Sequence, residues 1–181
     1  MHLIDRAKTG DRQAFAALFE QYRNLVYKTA YLMLDNTQDA EDALQEVFLQ
    51  VHGSLASFDP RKGAFTTWLH RITFNFCLNH RRKRRPLSLE DVSIIPAIEF
   101  PGAQLAEQES VLLMLRALSD KQQAVIILRY YWELPYAEIA QILDIPLGTV
   151  KSRLDLALKT LRKMTGEGSD REPVSRMEVC E

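Results

Sequence analysis

Apolar residues recur every three or four positions along most of the chain, which is the spacing of amphipathic helices. One apolar stripe runs through residues 15–30, a second through 40–51 and a third through 65–76. Helical spacing returns over 105–118 and again in the C-terminal third. No segment shows the sustained alternation of a strand, so the pattern predicts an all-α protein.

The pattern is interrupted between residues 86 and 104. This stretch contains Pro86, Pro96, Pro101 and Gly102, and its apolar residues are scattered. Such a composition predicts an extended linker. We therefore expect two small helical domains, residues 1–85 and 105–164, joined by a linker over 86–104. The polar tail, 165–181, is expected to be disordered.

The last two predicted helices, near 135–143 and 147–163, have the arrangement of a helix-turn-helix. Asp144 lies at the tight turn, and Pro146 lies in the first turn of the second helix, where its missing amide costs little. The apolar anchors of the pair are Ile139, Leu143, Val150, Leu154, Ala157 and Leu161. In such a motif the second helix enters the major groove of DNA.

The outward face of that second helix carries groups suited to nucleic acid. Lys151, Lys159 and Arg162 suit phosphates, whereas Ser152 and Asp155 suit base edges. Gly148 lies on the same face, and Arg153 lies on a flank nearer the protein. A plain helical hairpin with a solvated basic face has the same spacing, so both interpretations stay open at this point.

Charge is segregated along the chain, although the formal net charge is only −1. No Lys or Arg lies between Lys28 and Arg61, a stretch that holds Asp35, Asp39, Glu41, Asp42, Glu46 and Asp59. Five consecutive cations then occupy 81–85. This alternation predicts separate acidic and basic surfaces for different partners. The basic cluster favours nucleic acid over a solubility patch.

The third helix places Phe74 opposite its apolar stripe, between Thr67 and Arg81. An exposed aromatic among cations suits a separated DNA strand, because any base can stack on it. Packing of Phe74 against another helix would give the same pattern, and the sequence leaves both alternatives open. Trp68 lies on the stripe and is predicted to be core.

The remaining residues predict no catalytic, metal or cofactor site. The two cysteines and four histidines show no ligand-like spacing, and no Gly-rich phosphate loop occurs. We expect Cys77 to be packed and inert. No apolar run is long enough to span a bilayer, and the N-terminus lacks the apolar core of a signal peptide, so a cytoplasmic protein without membrane insertion is expected.

The segment LPYAEIAQILDIPLGTVKSRL resembles region four of the extracytoplasmic-function (ECF) sigma factors. The resemblance implies that this helix-turn-helix reads the minus-thirty-five promoter element. The implied contacts are Gly148, Thr149, Lys151, Ser152, Arg153, Asp155, Lys159 and Arg162. The chain departs from the family at Asp144, where Gly is usual, and at Leu156 and Leu158, where arginines are usual, so the helix is less cationic than its relatives.

The segment DAEDALQEVFLQV is similar to the signature of sigma region two. Charge alone favours a solvated face for this helix. The resemblance instead implies docking of this helix on the clamp helices of the largest polymerase subunit, and it adds the flap of the second largest subunit as a further contact of the protein. The implied polymerase contacts are Asp39, Glu41, Asp42, Gln45 and Glu46, and Leu44, Val47 and Phe48 are expected to be core.

The segment FTTWLHRITFNFCLNHRRKRR resembles the region-two helix that recognises and melts the minus-ten element, and the preceding FDPRKGAF resembles the loop that holds a flipped-out base. Asn75 and Arg82 match the family's N-x-x-x-D-x-x-R motif, in which Asn79 here replaces the Asp. The implied minus-ten contacts are Arg61, Lys62, Thr67, His70, Arg71, Phe74, Asn75, Arg81, Arg82 and Arg85.

Together these resemblances predict an ECF-type sigma factor that guides core RNA polymerase to promoters by binding and is not an enzyme. The expected partners are core RNA polymerase and promoter DNA, together with an anti-sigma factor of the kind that often holds small sigma factors. One alternative is a stand-alone helix-turn-helix regulator whose N-terminal helices dimerise or sense a signal. A more distant alternative is an anti-regulator without a DNA role.

Overall fold

The computed structural model describes residues 3–84 and 105–165, and all regular structure within these ranges is helical. The prediction of an all-α fold is therefore confirmed. The predicted linker, the predicted disordered tail and Arg85 lie outside the described residues. The helices are α1 (Leu3–Lys8), α2 (Arg12–Leu34), α3 (Thr37–Ser54), α4 (Phe65–Arg84), α5 (Leu105–Arg116), α6 (Asp120–Ile126), α7 (Tyr136–Leu143) and α8 (Leu147–Met164).

Polar side chains cap the long helices of the N-terminal half. Asp11 Oδ1 accepts hydrogen bonds from the backbone amides of Gln13 (2.9 Å) and Ala14 (3.1 Å) at the start of α2. Asn36 Oδ1 accepts from the Asp39 amide (2.9 Å) at the start of α3. These caps satisfy amides that have no partner within the helix. The Asn36 cap lies at the bend between α2 and α3.

The three predicted apolar stripes meet in an N-terminal core. Leu18 and Val26 of α2, Val47 and Val51 of α3 and Leu69 of α4 are buried there. Aromatic rings close one end, where the Trp68 ring lies 5.6 Å from Phe65 and 5.4 Å from Phe58. The predicted core role of Trp68 is confirmed.

The C-terminal half begins as predicted and then departs from regular α-geometry. Ser119 and Gln122 form a capping box, in which the Ser119 amide donates to Gln122 Oε1 (2.9 Å). After α6, however, the chain widens into a π-helical turn over Ile127–Tyr131. Such turns change which side chains share a face, and they are frequent at functional sites.

The helix-turn-helix is formed by α7 and α8. Asp144 adopts the left-handed conformation (φ 53°) at the turn, a geometry that is strained for most residues other than Gly. Pro146 precedes α8 as its N-cap residue, one position before its predicted place in the first turn. Ile142 is buried beside Ile139, whereas the predicted anchor Leu143 is only half-buried.

The two halves share a second core. Phe74 and Cys77 of α4 and Met33 of α2 pack in one cluster with Ile127 and Ile139 of the C-terminal half. The expectation that Cys77 is packed is confirmed, and burial raises the pKa of its thiol to about 12. In this closed arrangement the helix-turn-helix therefore lies directly on the N-terminal bundle.

Candidate nucleic-acid and polymerase interfaces

The acidic helix α3 has one buried and one exposed side. Val47 and Phe48 are buried and Leu44 is half-buried, which confirms their predicted core role. The exposed side carries Glu41, Asp42, Gln45 and Glu46. Asp39 differs from these four, because its Oδ1 lies 3.6 Å from His80 Nε2 and both side chains are largely covered.

Leu49 extends this acidic side and was not predicted from the sequence. It follows Gln45 and Glu46 by one helical turn and therefore shares their face. Its side chain is 65% exposed. The signal that would have identified it is its place outside the apolar stripe of α3, since a leucine there has no core to enter.

The predicted minus-ten face of α4 is covered by the C-terminal half. Phe74 is 0% and His70 3% exposed, so the interpretation of Phe74 as a solvent-facing aromatic is wrong for this arrangement, and the packing alternative holds. The Thr67 hydroxyl donates to Glu138 Oε1 of α7 (2.5 Å). The burial of Phe74 is not predictable from the sequence, because α4 is apolar on two faces. Only the tertiary arrangement shows that the C-terminal half covers the second apolar face.

Trp132 lies over His70 at this interface. The two ring centroids are 5.1 Å apart in an edge-to-face arrangement, and Trp132 Nε1 donates to Thr29 Oγ1 of α2 (3.0 Å). Burial lowers the pKa of His70 to about 4, which keeps the imidazole neutral at physiological pH. His70 Nδ1 is buried without a hydrogen-bond partner.

The cations predicted to contact the minus-ten element divide into two groups. Arg81 is engaged within the protein, because its guanidinium donates to Met33 O (2.7 Å) and to Gln123 Oε1 and pairs with Asp120 (3.2 Å). Arg71 pairs with Asp144 (3.3 Å) at the surface. The second group is exposed and comprises the cations Arg61, Lys62 and Arg82, and the uncharged side chain of Asn75 is exposed as well.

A cleft of about 460 Å³ lies between the loop before α4 and the helix-turn-helix. Phe58, Lys62 and Trp68 line one wall, and Gln141 and Asp144 line the other. Within the loop, Arg61 donates to both carboxylate oxygens of Asp59 (3.0 and 2.9 Å). These hydrogen bonds, with one from the Arg61 amide, lower the pKa of Asp59 and fix the turn.

The outward face of α8 is open to solvent. Its exposed residues are Gly148, Lys151, Ser152, Asp155, Lys159 and Arg162, and Thr149 and Arg153 are half-buried beside them. Asp155 pairs with Lys159 (2.9 Å), so one of the cations is already partly neutralised. Leu156 is 56% exposed on the edge of this face.

The described parts of the chain contain neither a membrane-spanning helix nor a cluster of metal ligands. None of the helices described there is both long enough and apolar enough to cross a membrane. Within residues 3–84 and 105–165, no three His, Cys, Asp or Glu side chains cluster in a way that would hold a metal ion.

Family models assign this helical bundle and the helix-turn-helix that follows it to the sigma-70 class of proteins. Residues 18–86 match the family model "Sigma-70 region 2", and residues 108–161 match "Sigma-70, region 4". The sigma factor SigW of Bacillus subtilis is 36% identical over 176 residues, covering 88% of this chain and 93% of SigW. The sigma-H factor of Pseudomonas aeruginosa is 30% identical over 176 residues, covering 89% of this chain and 91% of that factor.

The chain belongs to the ECF family of RNA polymerase sigma factors. Its function is promoter-specific transcription initiation. Two solved structures share the fold. Sigma factor RpoE of Bartonella quintana, solved with the anti-sigma factor NepR, is 24% identical with a TM-score of 0.70, covering 86% of this chain and 98% of RpoE. CnrH, solved with the cytosolic domain of CnrY, is 22% identical with a TM-score of 0.69, covering 92% of this chain and 97% of CnrH.

Proposed function

We propose that this sigma factor docks on core RNA polymerase through the exposed side of α3, reads the minus-thirty-five element with α8 and opens the minus-ten element with α4. In this scheme residues 1–85 act as region two, 86–104 as the linker and 105–164 as region four. The protein works by binding, and the polymerase supplies the chemistry.

The row Asp42, Gln45, Glu46 and Leu49 on α3 is the observation that carries this proposal. These side chains are exposed on a helix whose opposite side is buried. Acidic groups around one exposed leucine suit a partner helix that presents cations and an apolar seam, because charge complementarity sets orientation while apolar burial adds affinity. The clamp helices of the polymerase are the partner we propose, with Glu41 and Asp39 at the margin of the contact.

The exposed face of α8 supports the role in upstream recognition. Ser152 lies near the centre of this face, where it suits a base edge, and Lys151 and Arg162 suit phosphates on either side. Because Asp155 pairs with Lys159, fewer free cations meet the DNA. We therefore expect a shallow dependence of upstream-element affinity on salt concentration.

The minus-ten contacts proposed on α4 and its preceding loop are partly accessible in the closed arrangement. Arg61, Lys62, Asn75 and Arg82 are exposed, whereas His70 and Phe74 become accessible only when the helix-turn-helix moves away. Of the two solved structural relatives, RpoE was captured with the anti-sigma factor NepR and CnrH with the cytosolic domain of CnrY. By analogy we propose that an anti-sigma factor also binds this chain.

Selection of transcribed sequences from a random promoter library, with purified core polymerase and this protein, tests the proposal. We expect two enriched sequence blocks at a fixed separation. Lys151→Ala combined with Ser152→Ala should weaken or alter the upstream block alone, and Lys121→Ala, an exposed cation on α6, should change neither. Point variants are preferred to deletion of residues 105–163, because deletion would expose the shared core around Phe74. An upstream block that is unchanged in the double variant would contradict the role given to α8.

A further inference from the structure

One aromatic side chain at the interface between the two halves, Trp132, packs against the shared core. It follows the π-helical turn, stands edge-on to His70 at 5.1 Å and donates its indole N–H to Thr29 Oγ1 at 3.0 Å. Thr29 is 0% and His70 3% exposed, so the indole reaches into the space between α2 and α4. Trp132 therefore covers the part of α4 to which the minus-ten strand is proposed to bind.

The site beneath Trp132 has the chemistry of a base-binding site. His70 keeps Nδ1 buried without a hydrogen-bond partner, and the Phe74 ring lies 6.2 Å from the imidazole. A buried polar atom without a hydrogen-bond partner is energetically unfavourable. A different conformation or a ligand that supplies a partner for His70 Nδ1 would remove this cost. Aromatic rings that stack and a ring nitrogen that can hydrogen-bond are the features that bind an unpaired nucleobase. An indole matches a base in being a flat ring with an N–H donor.

We infer that Trp132 occupies, within the closed molecule, the site on α4 that a base of the separated strand takes, so that the single strand and Trp132 compete for it. The inference rests on the proposed role of α4 in binding the minus-ten element. It makes the closed arrangement an autoinhibited one with respect to single-stranded DNA.

Polar contacts around the indole hold the closed arrangement together. Thr67–Glu138 and Arg71–Asp144 lie towards one end of α4, and Arg81–Asp120 lies towards the other. The acidic side of α3 and the outward face of α8 remain exposed meanwhile. Docking on polymerase and upstream duplex binding can therefore precede opening, which makes access to α4 a separate step.

The competition has a measurable consequence without polymerase. When only an open fraction of the protein is competent, the apparent dissociation constant is the intrinsic one divided by that fraction. Trp132→Ala removes the internal competitor and should tighten binding of a labelled, short oligothymidine by about tenfold or more. Thr29→Val, which removes the acceptor of the indole N–H, should give a smaller gain. Tyr130→Ala is the matched control, because Tyr130 belongs to the same turn but is 57% exposed, and it should bind like the wild type.

A second measurement does not depend on truncating the interface. The chain has two tryptophans, so Trp68→Phe leaves Trp132 as the sole reporter. The protein is titrated with the labelled oligothymidine, whose anisotropy reports binding. Quenching of Trp132 fluorescence by iodide should increase in parallel with that anisotropy. DNA binding that leaves Trp132 shielded would overturn the inference, as would a Trp132→Ala variant that binds no tighter than the wild type.

Arg82→Ala separates this inference from the role of α4 on which it rests. If Arg82→Ala weakens oligothymidine binding while Trp132→Ala leaves it unchanged, α4 binds DNA and the internal competitor is refuted. If neither variant alters oligothymidine binding, the proposed binding of single-stranded DNA by α4 is refuted, and the inference about Trp132 is refuted with it.

Discussion

Arg81 and Arg82 are neighbours in a basic cluster, yet the structure predicts opposite consequences for their removal. Arg81 joins three helices, because it donates to Met33 O of α2 (2.7 Å) and to Gln123 Oε1 of α6 and pairs with Asp120 (3.2 Å). Arg82 is exposed. We therefore predict that Arg81→Ala destabilises the fold and that Arg82→Ala does not.

The expected magnitude follows from the burial of the contacts. A hydrogen bond to a charged group contributes about 1.5–3 kcal/mol, and breaking a fully buried ion pair costs about 3–5 kcal/mol. The side chains of Arg81 and Asp120 are 31% and 17% exposed, so water replaces part of what is lost. We expect Arg81→Ala to lower the free energy of unfolding by about 2–3 kcal/mol, against no more than about 0.5 kcal/mol for Arg82→Ala.

Urea unfolding followed by circular dichroism measures this difference. With a slope of about 1–3 kcal/mol/M, the midpoint for Arg81→Ala should fall by about 1 M or more at an unchanged slope. Arg81→Lys is the matched control, which keeps the charge but not the fork of donors, and it should lie between the two alanine variants. Equal midpoints for Arg81→Ala and Arg82→Ala would refute the reasoning.

Two further predictions concern backbone strain and pH. Glu133 adopts the left-handed conformation (φ 53°) after the π-helical turn, which strains any residue with a Cβ atom. Glu133→Gly should therefore raise the free energy of unfolding by about 1 kcal/mol. Glu133→Ala keeps the strain and should not raise it. Burial lowers the pKa of His70 to about 4, from about 6.5 in an unfolded chain. The stability that depends on a neutral imidazole is therefore complete above pH 6.5 and is lost as the pH falls towards 4. The loss should total roughly 3 kcal/mol, and urea midpoints across this range should show it in the wild type but not in His70→Phe. A stronger pH dependence in His70→Phe, or a Glu133→Gly variant that is less stable than Glu133→Ala, would contradict these accounts.

The elements of the fold were predictable because their signals are local. The stripe of Phe65, Trp68 and Leu69 needs only the period of a helix, and the capping box of Ser119 and Gln122 needs only neighbouring residues. The turn at Asp144 was predictable for the same reason, since a left-handed position is strained in most residues and its place within the motif is fixed.

The arrangement of the two halves was not predictable, because it depends on contacts between distant residues. Phe74 and Cys77 form a second apolar face on α4, and the sequence cannot tell whether a base or a helix covers it. The structure shows that residues of the C-terminal half, such as Ile139, cover it. The π-helical turn that precedes Trp132 had no local signal either, because apolar residues such as Ile127 and Leu128 fit a regular helix equally well.

The same limit applies to the candidate sites. The exposed face of α8 followed from helical period alone, since α8 is buried on one side only. Arg81 was expected among the phosphate contacts because it stands in a run of cations, yet its partners Asp120 and Gln123 lie about forty residues away in the sequence. The exposure of Leu49 is not predictable in this way, because hydrophobic residues in amphipathic helices are usually buried.

Binding to purified core RNA polymerase tests the central claim most directly. Co-elution should be seen for the wild type and should be lost in Asp42→Arg combined with Glu46→Arg, while Glu20→Arg, an exposed charge reversal on α2, should co-elute normally. Leu49→Ala should weaken binding without abolishing it. Undiminished co-elution of the double reversal would contradict docking through α3, and failure of the wild type to bind core polymerase would contradict the account as a whole.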